Sequence, residues 1–353
     1  MSEPAAGPVT VPVTEDVSWH RVDHGSAVGA VRRAAVALGE RLGLGESLLG
    51  EIGIVATELA GNQVKHAGGG NVLLRACRAP EGNGVELVAI DAGPGMGDVP
   101  QAFGDGHSTA GTLGIGLGAV RRLTTSLDVF SAPGRGTVIA VSIGPDGVTR
   151  AGRGSAIAGL TRPLTGEAVC GDGYAVRVDA GVLTAVLLDG LGHGPLAATA
   201  TAAGVRAFLD APPGGAAELL TRVHRALAGT RGAAAAVLRY DGGDEVRLAG
   251  IGNISGHVFG GERRRGMVSY PGIAGGQART VREAGYPFPA RGTVVLHSDG
   301  VSDRLALPDP GLPRRGPLVV AALCLRDYGV RADDASVLVL TRGDGGSDGG
   351  GTS

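Results

Sequence analysis

Lysine is all but missing from this chain: among 32 basic residues Lys65 is the only lysine, and the rest are arginine. Aromatic residues make up 3% of the 353 positions, too few to suggest stacking platforms, so Trp19, Tyr174 and Phe208 read as packing residues. The cysteines Cys77, Cys170 and Cys324 are far apart and odd in number. They form neither a CxxC pair nor a disulfide framework, which fits a reducing compartment. The formal net charge is −2 without a long run of either sign, so electrostatics gives no reason to expect nucleic acid or an anionic membrane as a partner. No apolar run approaches the roughly 20 residues that span a bilayer. The start, MSEPAAGPVTVPVTED, lacks the basic and apolar regions of a signal peptide. The expectation is a cytoplasmic chain. What abounds instead is glycine, at 65 residues, in an otherwise globular composition of 43% hydrophobic and 19% charged residues. The length predicts two domains.

Periodicity predicts helices over 27–42 and 47–67, strands over 72–77 and 85–90, a glycine-rich stretch over 91–118, a short helix over 117–123, and strands over 126–131 and 137–143. Helices on one side of a mixed sheet make an α/β sandwich. Residues 144–156, GPDGVTRAGRGSA, read as a linker. Beyond it, strands are expected over 168–178, 182–188, 233–240, 245–250, 293–297 and 336–341, and alanine-rich helices over 195–209 and 216–228. The expected division is 1–143, a linker over 144–156, 157–342, and a flexible tail over 343–353.

In ELAGNQVKHAGGG, Glu58, Asn62 and Lys65 fall at i, i+4 and i+7, one strip of a helix. A carboxylate, an amide oxygen and an ammonium are the parts that a Mg-nucleotide site needs. By spacing alone a solvated polar face is the simpler account. His66 lies nearer the apolar side, where packing accounts for it, and is a further nucleotide-site candidate. Downstream features shift the balance. Asp91 ends the strand VELVAI and is followed by Gly93 and Gly95, so a carboxylate and open backbone can meet the amine and the flat ring of a base. Gly111, Gly114, Gly116 and Gly118 then lead into a helix whose N–H groups would cradle phosphates. GIGLGA superficially matches a dinucleotide fingerprint, but it lacks the strand–turn–helix–strand setting.

The ordered set ELAGN, DAGPG, GIGLG and GRGT, the last ending on Thr137, resembles the GHKL ATPase family over about residues 20–145. Its nearest likeness there is to the small anti-sigma and switch kinases of bacterial stress-response modules. The resemblance implies a Bergerat-type α/β sandwich that binds ATP and Mg²⁺. It gives Asn62 to the metal, Asp91 to adenine, the glycine lid from Gly111 to Gly118 to the phosphates, Lys65 to phosphate and Glu58 to catalysis as base. A sensor histidine kinase is disfavoured because only about 45 residues precede the Asn62 helix, and a gyrase- or MutL-like ATPase because no long transducer region follows.

Four acidic motifs mark the second half: CGDGYAV with Asp172, LLDGLGHG with Asp189, HSDGVSD with Asp299 and Asp303, and ADDASVLVL with Asp333 and Asp334. Any one could be an ordinary Asp-Gly turn. Several carboxylates beside apolar strands, with no matching cation in the motifs, suggest a shared site for oxygen-ligated Mg²⁺ or Mn²⁺ rather than zinc.

This half resembles the SpoIIE- and RsbX-like branch of the PPM phosphatases over about residues 156–342. That resemblance implies an α/β/β/α sandwich with two metal ions. Asp189 would bridge them, the Gly190 carbonyl would add a ligand, and Asp172, Asp299 and Asp333 would complete the site. Many relatives place histidine directly after the Asp-Gly, where this chain has Leu191, so proton donation falls to His193 or to water, and His193 fits a role in the turn equally well. Gly252 and Asn253 read as a structural turn. Together the resemblances imply a kinase and phosphatase switch in a sigma-factor partner-switching pathway, acting on a serine or threonine of a STAS-domain regulator, with a sigma factor as another partner. The alternative is a first half that sequesters a sigma factor or antagonist without transferring phosphate.

Overall fold

The computed structural model describes residues 13–79, 81–104, 116–145, 157–260, 263–278, 280–307, 315–330 and 332–343. Its first half runs β1 (Val13–Val22), α1 (Gly25–Arg41), α2 (Glu46–Asn62), a π-helical turn (Gln63–Ala67), β2 (Gly70–Ala79), β3 (Gly82–Asp91), α3 (Val99–Ala102), α4 (Gly116–Leu123), β4 (Ser126–Ser131) and β5 (Thr137–Ile143). The sheet order is β1-β2-β3-β5-β4, and every pairing is antiparallel. A mixed sheet was expected. The paired helices α1 and α2 reverse the chain between β1 and β2, so those neighbours run oppositely, and β2–β3 and β4–β5 are hairpins. The π turn is a second departure, because one straight helix was expected to Ala67. There Gln63, 2% exposed, donates from Nε2 to the carbonyls of Asn71 and Ile90, drawing the last turn against β2 and β3.

The second half contains β6 (Ile157–Arg162), β7 (Asp172–Asp179), β8 (Val182–Gly190), α5 (Pro195–Leu209), α6 (Ala216–Ala226), β9 (Ala233–Tyr240), β10 (Glu245–Ile251), β11 (Ser255–Gly260), β12 (Arg263–Met267), β13 (Glu283–Pro287), β14 (Thr293–His297), α7 (Pro317–Tyr328) and β15 (Ala335–Thr341). Two sheets form, β13-β10-β9-β8-β7 and β12-β11-β14-β15-β6. Strand β7 starts at Asp172 rather than at the expected residue 168. The backbone before it is bound elsewhere, since the Gly171 N–H donates to the Asp334 carboxylate. The expected linker falls largely outside the described residues.

Burial sorts these elements into layers. On one face of the first sheet, Val31, Leu38, Ile52 and Leu59 of α1 and α2 pack on Leu74, Leu87 and Val141. On its other face, Leu73, Val88, Ile90, Phe130 and Val138 meet α7, and the same cluster takes in Leu160, Val295, Val337 and Val339 of the third sheet. The third sheet's opposite face, with Val294 and Leu338, packs on Leu187 and Leu238 of the second sheet. Helices α5 and α6 close the stack over Val186 and Val237. Helix α7 is therefore buried between two sheets, which is why it is apolar all round: Pro317 and Val319 through Leu325 are all buried.

Polar contacts reinforce this junction. Arg75, 1% exposed, pairs through Nε with Asp16 and through NH1 with Glu86, both at 2.6 Å. Its NH2 donates to the Gly159 carbonyl at 3.0 Å and to the Tyr174 hydroxyl at 2.8 Å, across the boundary between the halves. The Trp19 indole donates to the Thr161 carbonyl, and the Thr161 N–H donates to Asp16. No helix among the described residues is long and apolar enough to cross a membrane.

Candidate functional site

The first half carries a cavity of about 590 Å³. Glu58, Asn62, Lys65, His66, Asp91, Gly95, Gly116 and Thr137 all line it. Helix α2 and the π turn supply the first four, and the ends of β3 and β5 supply Asp91 and Thr137. The two strands are neighbours in register, with Asp91 opposite Thr137. The Asp91 Oδ1 accepts from the Gly93 N–H at 2.9 Å and the Thr137 N–H at 3.1 Å, which fixes the carboxylate at the cavity wall. Burial raises its pKa, and those two N–H groups and Arg326 oppose the rise. Gly93 is beside the cavity rather than in its lining: a Cβ there would come within 2.6 Å of Ala67. Gly118 is buried in α4, also outside the lining, and Gly111 and Gly114 lie outside the described residues.

Gly95 has φ +70°, and a Cβ on it would sit 2.0 Å from the Ala132 carbonyl oxygen. Gly95→Ala is expected to destabilise the protein by about 1–3 kcal/mol and to weaken nucleotide binding in parallel. Thermal denaturation and titration with a fluorescent nucleotide check both effects.

The acidic motifs converge at one end of the two facing sheets. Asp172 and Asp189 stand directly opposite each other on β7 and β8, while Asp299 and Asp333 leave β14 and enter β15. Like charges placed opposite on adjacent strands are destabilising. Burial raises the pKa of Asp172 to about 7, with Asp334 and Asp299 adding to the rise and Ser298 opposing it. Asp189 is raised to about 8, first by burial and then by Asp172, Asp299 and Asp333. Asp333 is also raised, by burial and then by Asp299. Among the described residues, no ion pair involves any of these four carboxylates, and the buried Oδ2 of Asp172 has no hydrogen-bond partner. An all-oxygen set with an orphaned buried oxygen and no protein cation fits a hard divalent ion.

The two members of the Asp333–Asp334 doublet differ. Asp334 is 3% exposed and its oxygens accept from the Leu164 N–H at 2.7 Å and the Gly171 N–H at 2.9 Å, so it ties the sheets together. Gly190 packs so tightly that a Cβ would lie 2.8 Å from the carbonyl oxygens of Gly171 and Ala197. His193 sits at the rim, 3.2 Å from Glu167, and its ring acts on the Asp333 carboxylate.

The turn of Gly252 and Asn253, expected to be structural, is also next to the acidic cluster: Asn253 donates to Asp299 at 2.7 Å and so orients an acidic residue. Some neighbours escaped the sequence reading: Glu167 and Arg326 carried no signal. Arg326 reaches from α7 to the Asp91 carbonyl at 3.2 Å, across the junction between the halves. The thiols of Cys77, Cys170 and Cys324 are all raised by burial, which suits packing and not nucleophilic attack.

Residues 23–143 match the family model of the histidine kinase-like ATPase domain. The chain is 34% identical over 110 residues to the serine/threonine-protein kinase RsbT of Bacillus subtilis, an alignment covering 31% of this chain and 83% of RsbT. The chain thus belongs to the histidine kinase-like ATPase family through its first half. Among solved structures, a chain from work on the bacterial stressosome is 29% identical, with a TM-score of 0.48, covering 52% of this chain and 97% of that one. RsbX in complex with magnesium is 20% identical, with a TM-score of 0.44, over 52% of this chain and 92% of RsbX. The RsbU and RsbW domains of a Mycobacterium tuberculosis protein are 19% identical, with a TM-score of 0.43, over 53% of this chain and 61% of that one.

Proposed function

We propose that the chain is a bifunctional regulator of a bacterial partner-switching pathway, an ATP-dependent serine/threonine kinase over residues 1–143 joined to a metal-dependent phosphatase over residues 157–342. The observation that carries the kinase half is the convergence of Glu58, Asn62, Lys65 and Asp91 on one cavity. Asp91 would accept from the exocyclic amine of adenine, and Asn62 would hold Mg²⁺ with the nucleotide. Lys65 would meet phosphate, and Glu58 would take the proton from the attacking hydroxyl. The kinship with RsbT supports phosphotransfer to a protein hydroxyl.

In the second half, Asp172, Asp189, Asp299, Asp333 and the Gly190 carbonyl would hold two Mn²⁺ or Mg²⁺ ions, which supply Lewis acidity toward the phosphoryl oxygens. His193, oriented by Glu167, would hold a proton for the departing serine or threonine. Substrates of the STAS class suit a pair of opposed activities on one hydroxyl.

Glu58→Ala tests the kinase reading. Phosphotransfer from ATP to a STAS-domain protein should fall by roughly 10²- to 10⁴-fold, the usual share of a general base. Nucleotide binding should persist. Undiminished transfer would remove Glu58 from its role; absent transfer in the wild type, with nucleotide-dependent partner binding intact, would favour a sequestering module.

A further inference from the structure

One cluster in the second half belongs to neither site. His257 on β11 and His297 on β14 lie on adjacent strands with ring centroids 5.8 Å apart, and Asp303 follows in the loop beyond β14. Their ligand-type atoms all fall within 4.8 Å of one another. The Asp303 Oδ1 stands 3.7 Å from the His297 Nε2 and 4.0 Å from the His257 Nε2.

His297 is the informative member. At 1% exposed, it has its Nδ1 2.8 Å from the Ser298 carbonyl oxygen, so Nδ1 carries the hydrogen and Nε2 bears the lone pair. That Nε2 is buried and has no hydrogen-bond partner. An imidazole tethered through one N–H to a backbone carbonyl, with its other nitrogen bare, is the usual state of a metal-ligating histidine. In a tetrahedral zinc site the ligand atoms stand about 3.3 Å apart, so Asp303 would close by about 0.4 Å on His297 and about 0.7 Å on His257, and the two imidazoles by up to about 1.5 Å. Asp303 is exposed at the outer side of the cluster, which gives an ion its entry.

Arg264 is the competing group. Its Nε donates to the His257 Nδ1 at 3.2 Å and its NH2 lies 2.9 Å from the His257 Nε2, and its NH1 and NH2 also donate to the carbonyls of Leu305 and Asp303. The guanidinium is thus anchored by two carbonyls and could keep both while giving up the imidazole. Burial first, then Arg264 and His297, lowers the pKa of His257 to about 4, so that ring is a neutral ligand at physiological pH.

We propose that His257, His297 and Asp303 form a third cation site, selective for a borderline-soft ion of the Zn²⁺ type and separate from the all-oxygen aspartate cluster. Two imidazoles and one carboxylate suit such an ion, whereas Mg²⁺ and Mn²⁺ prefer oxygen. The ion would clamp the loop from Asp299 to Asp303 onto β11 and β14. This inference does not depend on either proposed activity.

The test uses the full chain carrying Asp189→Asn, which weakens the aspartate cluster and leaves the histidine cluster untouched. With Co²⁺ as the probe, the expected result is one bound equivalent with the intense visible absorption of a tetrahedral nitrogen and oxygen site, bleached by Zn²⁺. Asp303→Asn, at an exposed position, and His257→Gln should each remove the band, and Arg264→Gln should tighten binding by about tenfold or more by removing a nearby positive charge. A weak octahedral spectrum alone, or a band that survives both ligand substitutions, would overturn the proposal. So would binding seen only after Arg264→Gln, because the guanidinium would then be the resident cation.

Discussion

Asp189→Asn should abolish Mn²⁺-dependent hydrolysis of p-nitrophenyl phosphate and, in the same protein stripped of metal by EDTA, raise the melting temperature. The two effects share one cause. Asp189 faces Asp172 directly across the β7–β8 ladder and senses Asp299 and Asp333 as well. With metal, that charge is what the site requires, and losing it should cut turnover by more than about 100-fold. Without metal, the same charge is a liability. Its pKa in the folded chain, about 8, exceeds the ordinary value of about 4. The folded state therefore binds the proton more tightly than the unfolded chain does. The stability due to this group is fully present below about pH 4 and is lost as pH rises through about 8.

Metal-free wild type should accordingly weaken across that window, and the asparagine variant should decline less, with a gain on the order of 2 kcal/mol at pH 8. Denaturation curves in EDTA at several pH values read this directly. Wild-type turnover of the variant at saturating Mn²⁺ would withdraw the bridging role. Coincident stability profiles would contradict the charge repulsion.

Arg75→Met should be the most damaging substitution outside the two sites. Burial alone would pull its charge down, but Tyr174, Asp16 and Glu86 hold it on. Methionine fills much of the volume and leaves Asp16 and Glu86, both almost fully buried, without their cation. Breaking a buried pair by removing one partner costs about 3–5 kcal/mol, which at this size lowers the melting temperature by roughly 10 °C. Arg75→Lys should recover little, because one ammonium cannot serve Asp16, Glu86, the Gly159 carbonyl and the Tyr174 hydroxyl together. Urea titration of both variants measures this. A loss under 1 kcal/mol for Arg75→Met would mean that the network adds nothing to the fold.

Glycine and acid motifs were legible because each marks a place where backbone or charge must do something unusual. Gly95 and Gly190 sit where a Cβ would strike a carbonyl oxygen, and the acidic residues cap strands that are otherwise apolar. What bound the halves together was harder to read. Helix α7 has no polar face, so periodicity could not announce it, and the arginine-rich β12 does not look like a strand. Arg75 has partners 59, 11, 84 and 99 positions away, a pattern no local window contains. One signal was there to be used. In VLLRAC on β2 consecutive residues are buried, so both faces of that sheet had to be covered, and helices α1 and α2 account for only one.

Because α7 belongs to the hydrophobic layer of both halves, the molecule is not two beads on a string. A fragment ending near residue 143 would bare Leu73, Val88, Ile90 and Val138 to water, and one beginning near residue 157 would strand the outward side of α7. The two halves should melt as a single calorimetric endotherm rather than two. Engineering that swaps either half for a relative's must carry the matching surface with it.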